Sequence, residues 1–301
     1  MDLSLSLRGV RFPGPVGTAS GTFGYAKEYE SLVDFSKIAA VYTKAVTPEP
    51  RIGNPAPRLV ETASGMLNSI GLANVGVEAF IRDKMPFLRT IPSKIVVNVA
   101  GSTDFDYEAV IEALEPVEGI DGYEINVSCP NVNHGGLGLG TDPTLVAAIT
   151  KAIRARTQRP LIIKLSPNVT DIAAIALAAE AEGADAVSCV NTLVGMVIDL
   201  TTKKPVLPWG TGGLSGPAIL PVAVAAVYKV SRKVSIPVIG LGGISRWEDA
   251  VQHLLAGASM IQVGSGTFAN PALAQEVAQG IESWARREGV FTMAEIHELA
   301  R

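Results

Sequence analysis

The chain has 301 residues, 48% of them hydrophobic, with 30 Gly, 19 Pro and a formal net charge of -4. One α/β barrel needs about that length for its single core, so one domain over residues 1–301 is expected. The acidic balance leaves no electrostatic footprint for a polyanion and argues against nucleic acid as a partner.

At the start, Leu3, Leu5 and Leu7 alternate with Ser4, Ser6 and Arg8, which reads as a strand and not as the basic start and apolar run of an export signal. Apolar runs follow at Val16 to Ser20 and Ala39 to Ala45, and from residue 94 onward they alternate with helix-period segments. These later runs are Ile95 to Ala100, Tyr123 to Ser128, Leu161 to Ser166, Ala186 to Asn191, Val238 to Gly243 and Met260 to Gly264. Eight such runs predict an α/β fold, a (β/α)8 TIM barrel of parallel strands.

Helix punctuation supports the βα rhythm. Asp142-Pro143 and Asn270-Pro271 place a cap before a first-turn proline, Ser245 and Glu248 have capping-box spacing, and Gly183, Gly257 and Gly289 fall at expected helix ends. Two insertions, Thr47 to Asn74 and Leu193 to Ser215, interrupt the rhythm at strand carboxyl ends, where barrel enzymes carry their sites. The uncharged stretch Pro205 to Tyr228 contains four prolines and four glycines, so it predicts a loop running into a helix and no membrane span. Cys129 and Cys189, the only cysteines, make neither a CxxC ligand pattern nor a disulfide framework. Reduced thiols in a cytoplasmic protein are expected, with no metal site and no iron–sulfur cluster on this chain.

The strand ends carry Ser20, Lys44, Asn98, Asn126, Lys164, Asn191, Gly242-Gly243 and Gly264-Ser265. Strands commonly end in polar loops, and a single Asn there means little. Lysines closing the runs AVYTK and LIIK say more, because a lysine at a strand's inner end is costly unless it meets an anion or an electron-rich ring. Gly242-Gly243 and Gly264-Ser265-Gly266 are each expected to open a capped helix, an arrangement that holds phosphate. Glycines also simply turn the chain, but two such turns after the last two strands match the usual barrel phosphate site. GSGTFA also matches a dinucleotide fingerprint, yet it sits on the last strand with no acidic-tipped strand after it, so NAD binding by this chain is not expected.

Cys129 stands in NVSCPNVNHGG, just after a strand and before a glycine-rich loop. A lone cysteine is most often a small buried hydrophobe, the role assigned to Cys189 within VSCVN. Cys129 lies outside its strand among polar neighbours and is the candidate catalytic group. A Cys–His hydrolase pair with His134 lacks an evident orienting carboxylate. His253 and His297 fall in helix-period segments and read as surface or packing residues.

The segments KAVTPEPRIGNPAPR, LNSIGLAN, NVSCPNV, IIKLSPN, VNTLVGM, GTGGLSG and VIGLGGI together resemble the dihydroorotate dehydrogenases along essentially the whole chain. Cysteine in SCPN is similar to the soluble classes, and NHGGLGLGTDP and NTLVGMVIDLTTKKP look most like the NAD-linked class. The resemblance implies FMN across the barrel mouth, contacted by Ser20, Lys44, Ala45, Asn98, Asn126, Lys164, Val190, Gly216, Gly242, Gly243, Gly264 and Ser265. It implies substrate contacts at Lys44, Asn68, Ser69, Ile70, Gly71, Leu72, Asn126, Asn131, Asn191 and Thr192. It further implies a homodimer paired with a separate subunit that carries FAD and an iron–sulfur cluster and passes electrons to NAD.

Oxidising dihydroorotate to orotate, a step of pyrimidine biosynthesis, removes a proton from one ring carbon and a hydride from its neighbour. On that resemblance Cys129 is the base and FMN the hydride acceptor. Asparagines suit a ring with N–H and C=O groups, Lys44 balances the substrate carboxylate, and Lys164 stabilises charge on the flavin. The rivals are a fumarate-linked soluble relative, a reductase of free pyrimidines or of dihydrouridine in RNA, a flavin-free barrel lyase or sugar-phosphate isomerase, and a non-catalytic binding barrel. The acidic balance argues against RNA, and flavin colour separates the flavin-free barrels.

Overall fold

The computed structural model describes residues 1–128 and 138–300. Each apolar run forms a parallel strand: β1 Val16–Thr18, β2 Ala40–Tyr42, β3 Lys94–Val99, β4 Gly122–Asn126, β5 Leu161–Leu165, β6 Ala186–Cys189, β7 Val238–Leu241 and β8 Met260–Val263. They close in chain order, with β8 pairing back onto β1, into the expected barrel. Helices Asp104–Leu114, Pro143–Arg154, Ile172–Ala181, Leu220–Ser231, Trp247–Leu255 and Leu273–Glu288 surround it. Strands buried on both faces read as continuous apolar runs, and Ile95 to Val99 are all buried.

Inside the barrel, side chains stack in layers. The expected N-terminal strand is Leu5–Leu7, which pairs antiparallel with Val10–Phe12 and is not part of the barrel. This hairpin plugs the barrel's amino end: Leu5, Leu7 and Phe12 pack against Ala40, Val96, Ile162, Ala186, Ile239 and Met260. Phe12 is fully buried, which stabilises by roughly 1.5–3 kcal/mol relative to exposure. One step toward the carboxyl ends the interior turns polar, with Asn98, Glu124, Lys164, Ser188 and Gln262 all buried. That period of two along each strand is the pleat itself.

The two insertions meet. Strands Leu59–Thr62 and Gly65–Asn68 from the first join Leu193–Gly195 and Gly212–Ser215 from the second in one antiparallel sheet, with Gly213 opposite Asn68. The stretch expected as loop from Pro205 therefore contains a strand, because its glycines let two backbones pair closely: a Cβ on Gly212 would sit 2.7 Å from the Asn68 carbonyl oxygen.

Helix starts follow the sequence with two shifts. Asp142 caps Pro143–Arg154 by accepting from the Thr144 amide. The capping box near Ser245 uses Asp249 in place of Glu248, since the helix begins at Trp247 and Asp249 is its third residue; one Asp249 oxygen accepts from the Ser245 and Arg246 amides and the Ser245 hydroxyl. Asn270 accepts from the Ala272 amide, and the helix starts at Leu273, two residues after Pro271. Gly183, Gly257 and Gly289 all have positive φ at helix ends. Among the described residues no helix is long and apolar enough to cross a membrane.

Candidate active site

At the carboxyl ends of the strands lies a cavity of about 770 Å³. Its floor and walls include Ser20 after β1, Lys44 and Ala45 after β2, Asn126 ending β4, Lys164 in β5, and Val190, Asn191 and Thr192 after β6. Gly242 and Gly243 after β7, Gly264 and Ser265 after β8, and Gly216 complete one side. The paired insertions bring Asn68, Ser69, Ile70, Gly71 and Leu72 to the same space. Cys129, Asn131 and His134 lie outside the described residues. Ser128 and Gly138, which flank that segment, both line the cavity.

Asn98 is the exception among the residues expected at the mouth. It does not line the cavity, because it sits one layer deeper and donates from Nδ2 to Glu124 Oε1 at 2.7 Å. Glu124 is the centre of that layer. Its Oε1 also lies 3.5 Å from Lys164 Nζ, while Oε2 accepts from Ser188 Oγ at 2.9 Å and from Gln262 Nε2 at 2.8 Å. Lys164 thus meets an anion, as its position demanded, but the anion is a side chain of this chain. Reading strand ends alone missed Glu124 and Gln262. Their signal was a polar residue in the middle of the apolar runs GYEIN and MIQV.

The asparagines form a connected rim. Asn191 Nδ2 donates to Asn126 Oδ1 at 3.1 Å, and the Ser128 amide donates to the same oxygen at 3.2 Å. Asn191 Oδ1 accepts from the Thr192 amide, and Asn68 Nδ2 donates to the Gly213 carbonyl across the inserted sheet. Asn126 Nδ2 has no acceptor among the described residues and remains available to a ring carbonyl. Burial first, then the nearby Arg58 guanidinium, pull the Lys44 ammonium below its ordinary range. No carboxylate among the described residues forms an ion pair with Lys44, so an anion entering the cavity would supply the missing partner.

The two glycine turns differ. Gly242 and Gly243 have φ of 120° and 80°, and a Cβ on Gly243 would lie 2.5 Å from the Leu220 backbone. Helix Trp247–Leu255 follows, as expected. Gly264 has an ordinary negative φ, and it opens only the short 3-10 turn Ser265–Phe268, with the capped helix starting later at Leu273. The amides of Gly243, Ile244 and Ser265 donate to no acceptor among the described residues, and all three residues line the cavity. Such a cluster of free amides fits a phosphate.

His253 is fully buried, not at the surface, because the ring packs behind β7: a Cβ on Gly240 would lie 2.8 Å from its Nδ1. Burial holds its pKa down at about 4, so the ring is neutral, and it donates from Nε2 to the Gly242 carbonyl at 3.1 Å. His297 packs through Nε2 against the Ala258 carbonyl. Cys189 is buried, as expected, and burial pushes its thiol well above the usual range.

Comparison with known proteins bears on this geometry. The family model described as dihydroorotate dehydrogenase matches residues 2–284. The chain belongs to the dihydroorotate dehydrogenase family. Over 295 residues it is 50% identical to a protein of Pelobacter propionicus named dihydroorotate dehydrogenase B (NAD(+)), catalytic subunit, covering 98% of this chain and 97% of that one. A protein of the same name from Alkaliphilus oremlandii is 49% identical over 298 residues, covering 99% and 97%. In structure the chain is similar to dihydroorotate dehydrogenase of Eimeria tenella, solved in complex with ferulenol, with a TM-score of 0.80 at 22% identity over 98% of this chain and 87% of that one. The family and the barrel expected from the sequence are both borne out, and the catalytic subunits of this family carry FMN.

Proposed function

We propose that this chain is the catalytic subunit of an NAD-linked dihydroorotate dehydrogenase, a single barrel domain that oxidises dihydroorotate to orotate. The observation that carries the reading is the convergence of Lys44, Asn68, Asn126, Asn191 and Lys164 on one cavity beside the free amides of the Gly242-Gly243 turn. The residues present fit FMN. The turn amides and Ser265 would hold its phosphate, and Ser20, Ala45, Asn126, Lys164, Val190 and Gly216 would hold its ring system. Asn98 would act from the layer beneath. FMN supplies a hydride acceptor that no amino-acid side chain can provide.

The chain's own residues do the rest. Lys44 binds the substrate carboxylate, and its lack of another ion-pair partner among the described residues favours that use. Asn68, Asn126 and Asn191 orient the ring through its amide groups, with Ser69 to Leu72 and Thr192 lining the same cavity and Asn131 a further contact that the family resemblance implies. Cys129 takes the proton onto Sγ, as the general base; Ser128 at the cavity supports placing it there. Electrons leave through a partner subunit bearing FAD and an iron–sulfur cluster, bound to a homodimer in the cytoplasm. The names of the relatives, which specify a catalytic subunit and NAD(+), favour this acceptor over fumarate.

The test is anaerobic. Purified chain should carry FMN that dihydroorotate bleaches, and it should reduce NAD only when co-purified with an electron-transfer subunit. Colourless protein that takes up no added FMN would end this reading. Rapid NAD reduction by the chain alone would remove the partner.

A further inference from the structure

The Glu124 layer holds a charged pair beneath the cavity. Glu124 on β4 is wholly buried and Lys164 on β5 is nearly so. Gln262 reaches Glu124 from β8, on the opposite side of the closed barrel, so the bond crosses the interior. Three neutral donors, from Asn98, Ser188 and Gln262, hold the carboxylate at 2.7 to 2.9 Å, whereas Lys164 stands off at 3.5 Å. The carboxylate is therefore pinned without the lysine, and Lys164 is left reaching toward the cavity that it lines. The other titratable group facing this layer is the Tyr42 phenol, which burial and then the Glu124 charge keep neutral. Among the described residues Lys164 and Glu124 are thus the only charges in the layer.

An ammonium buried without a partner is strongly disfavoured, and removing one member of a buried pair leaves the other charge uncompensated. We propose that Glu124 is a positioning residue that keeps Lys164 charged and directed at the cavity floor, and so sets the reduction potential of the flavin bound above it. This rests on the FMN reading given above. Asn98, Ser188 and Gln262 serve the same end by fixing the carboxylate.

The experiment is anaerobic dye-equilibrated titration of the FMN midpoint potential between pH 6 and pH 9, in wild type, Glu124→Gln, Lys164→Met and the double variant. Glu124→Gln is expected to lower the potential, because the lysine loses the carboxylate that holds it beneath the cavity. Lys164→Met should lower it, and in that background Glu124→Gln should lower it no further, because Glu124 acts through the lysine. A potential in Glu124→Gln that is unchanged or raised, or a double variant whose shift equals the sum of the singles, would overturn the proposal. Should Glu124→Gln not fold, Ser188→Ala and Glu124→Asp decide: a smaller shift of the same sign in both supports it, and anything else refutes it. Wild-type chain that fails to bind FMN would instead refute the cofactor reading, so the two failures are distinct.

Discussion

His253 Nε2 lies 3.1 Å from the carbonyl oxygen of Gly242 and ties helix Trp247–Leu255 to the turn that follows β7. A carbonyl only accepts, so the proton sits on Nε2, and burial keeps the ring neutral down to about pH 4.

That depressed pKa makes stability depend on pH. Between the unfolded value near 6.5 and the folded value near 4, the unfolded chain binds a proton that the folded chain refuses. Stability from this group is complete above about pH 6.5 and is lost as pH falls toward 4, by on the order of 3 kcal/mol. His253→Gln keeps an N–H for Gly242 but does not titrate there. Thermal melts at pH 7 and pH 4.5 should show a smaller drop for His253→Gln than for wild type. Equal drops would place the acid sensitivity elsewhere.

Gly243→Val should empty the cofactor site. The Cβ would meet the Leu220 backbone at 2.5 Å from a φ of 80°, so the turn must move and its free amides with it. Gly9→Ala is the control, since Gly9 has a similar φ of 78° with nothing within 4 Å of a Cβ. The control carries only the backbone strain, about 1 kcal/mol. The ratio of flavin to protein absorbance should collapse in Gly243→Val and stay at the wild-type value in Gly9→Ala.

Much of this was legible because barrel strands announce themselves as apolar runs and their carboxyl ends carry the chemistry. Lys44, Asn126, Asn191 and Gly243 were found that way. Glu124 and Gln262 were not, because a strand's interior residues alternate between the barrel's inside and outside, and only the closed topology shows that Glu124 and Gln262 face each other. The meeting of the two insertions was likewise invisible. Gly213 pairs with Asn68 across a sequence separation that no local pattern encodes. His253 reads as a routine helical residue until the glycine at position 240 is seen to make room for its ring.

Lys44→Met should discriminate substrates by charge. With no ion-pair partner for Lys44 among the described residues, its ammonium would meet the dihydroorotate carboxylate, and breaking a buried charged hydrogen bond costs about 2–5 kcal/mol. The kcat/KM for dihydroorotate should fall at least about 30-fold, since every 1.4 kcal/mol is tenfold. Weak turnover of dihydrouracil, which lacks the carboxylate, should change far less. Equal losses on both compounds would mean that Lys44 serves the cofactor alone.

Ser128, the residue before Cys129 in the sequence, lines the cavity, and the proposed role of Cys129 as base makes a prediction about rate. A free thiol has a pKa of about 8.5, so only a few per cent is thiolate at neutral pH. Proton abstraction should therefore quicken as pH rises and level off once the thiol is ionised. Cys129→Ala removes the base but leaves Lys44, the asparagines and the turn amides, so FMN and orotate should still bind while flavin reduction slows roughly 10²–10⁴-fold. Cys129→Ser keeps a hydrogen-bonding group that is far harder to deprotonate, and its reaction should need higher pH. Anaerobic stopped-flow bleaching by dihydroorotate isolates this half-reaction from any electron-transfer partner. A Cys129→Ala protein that bleached at the wild-type rate, with the wild-type pH profile, would place the base elsewhere and return Cys129 to a packing role.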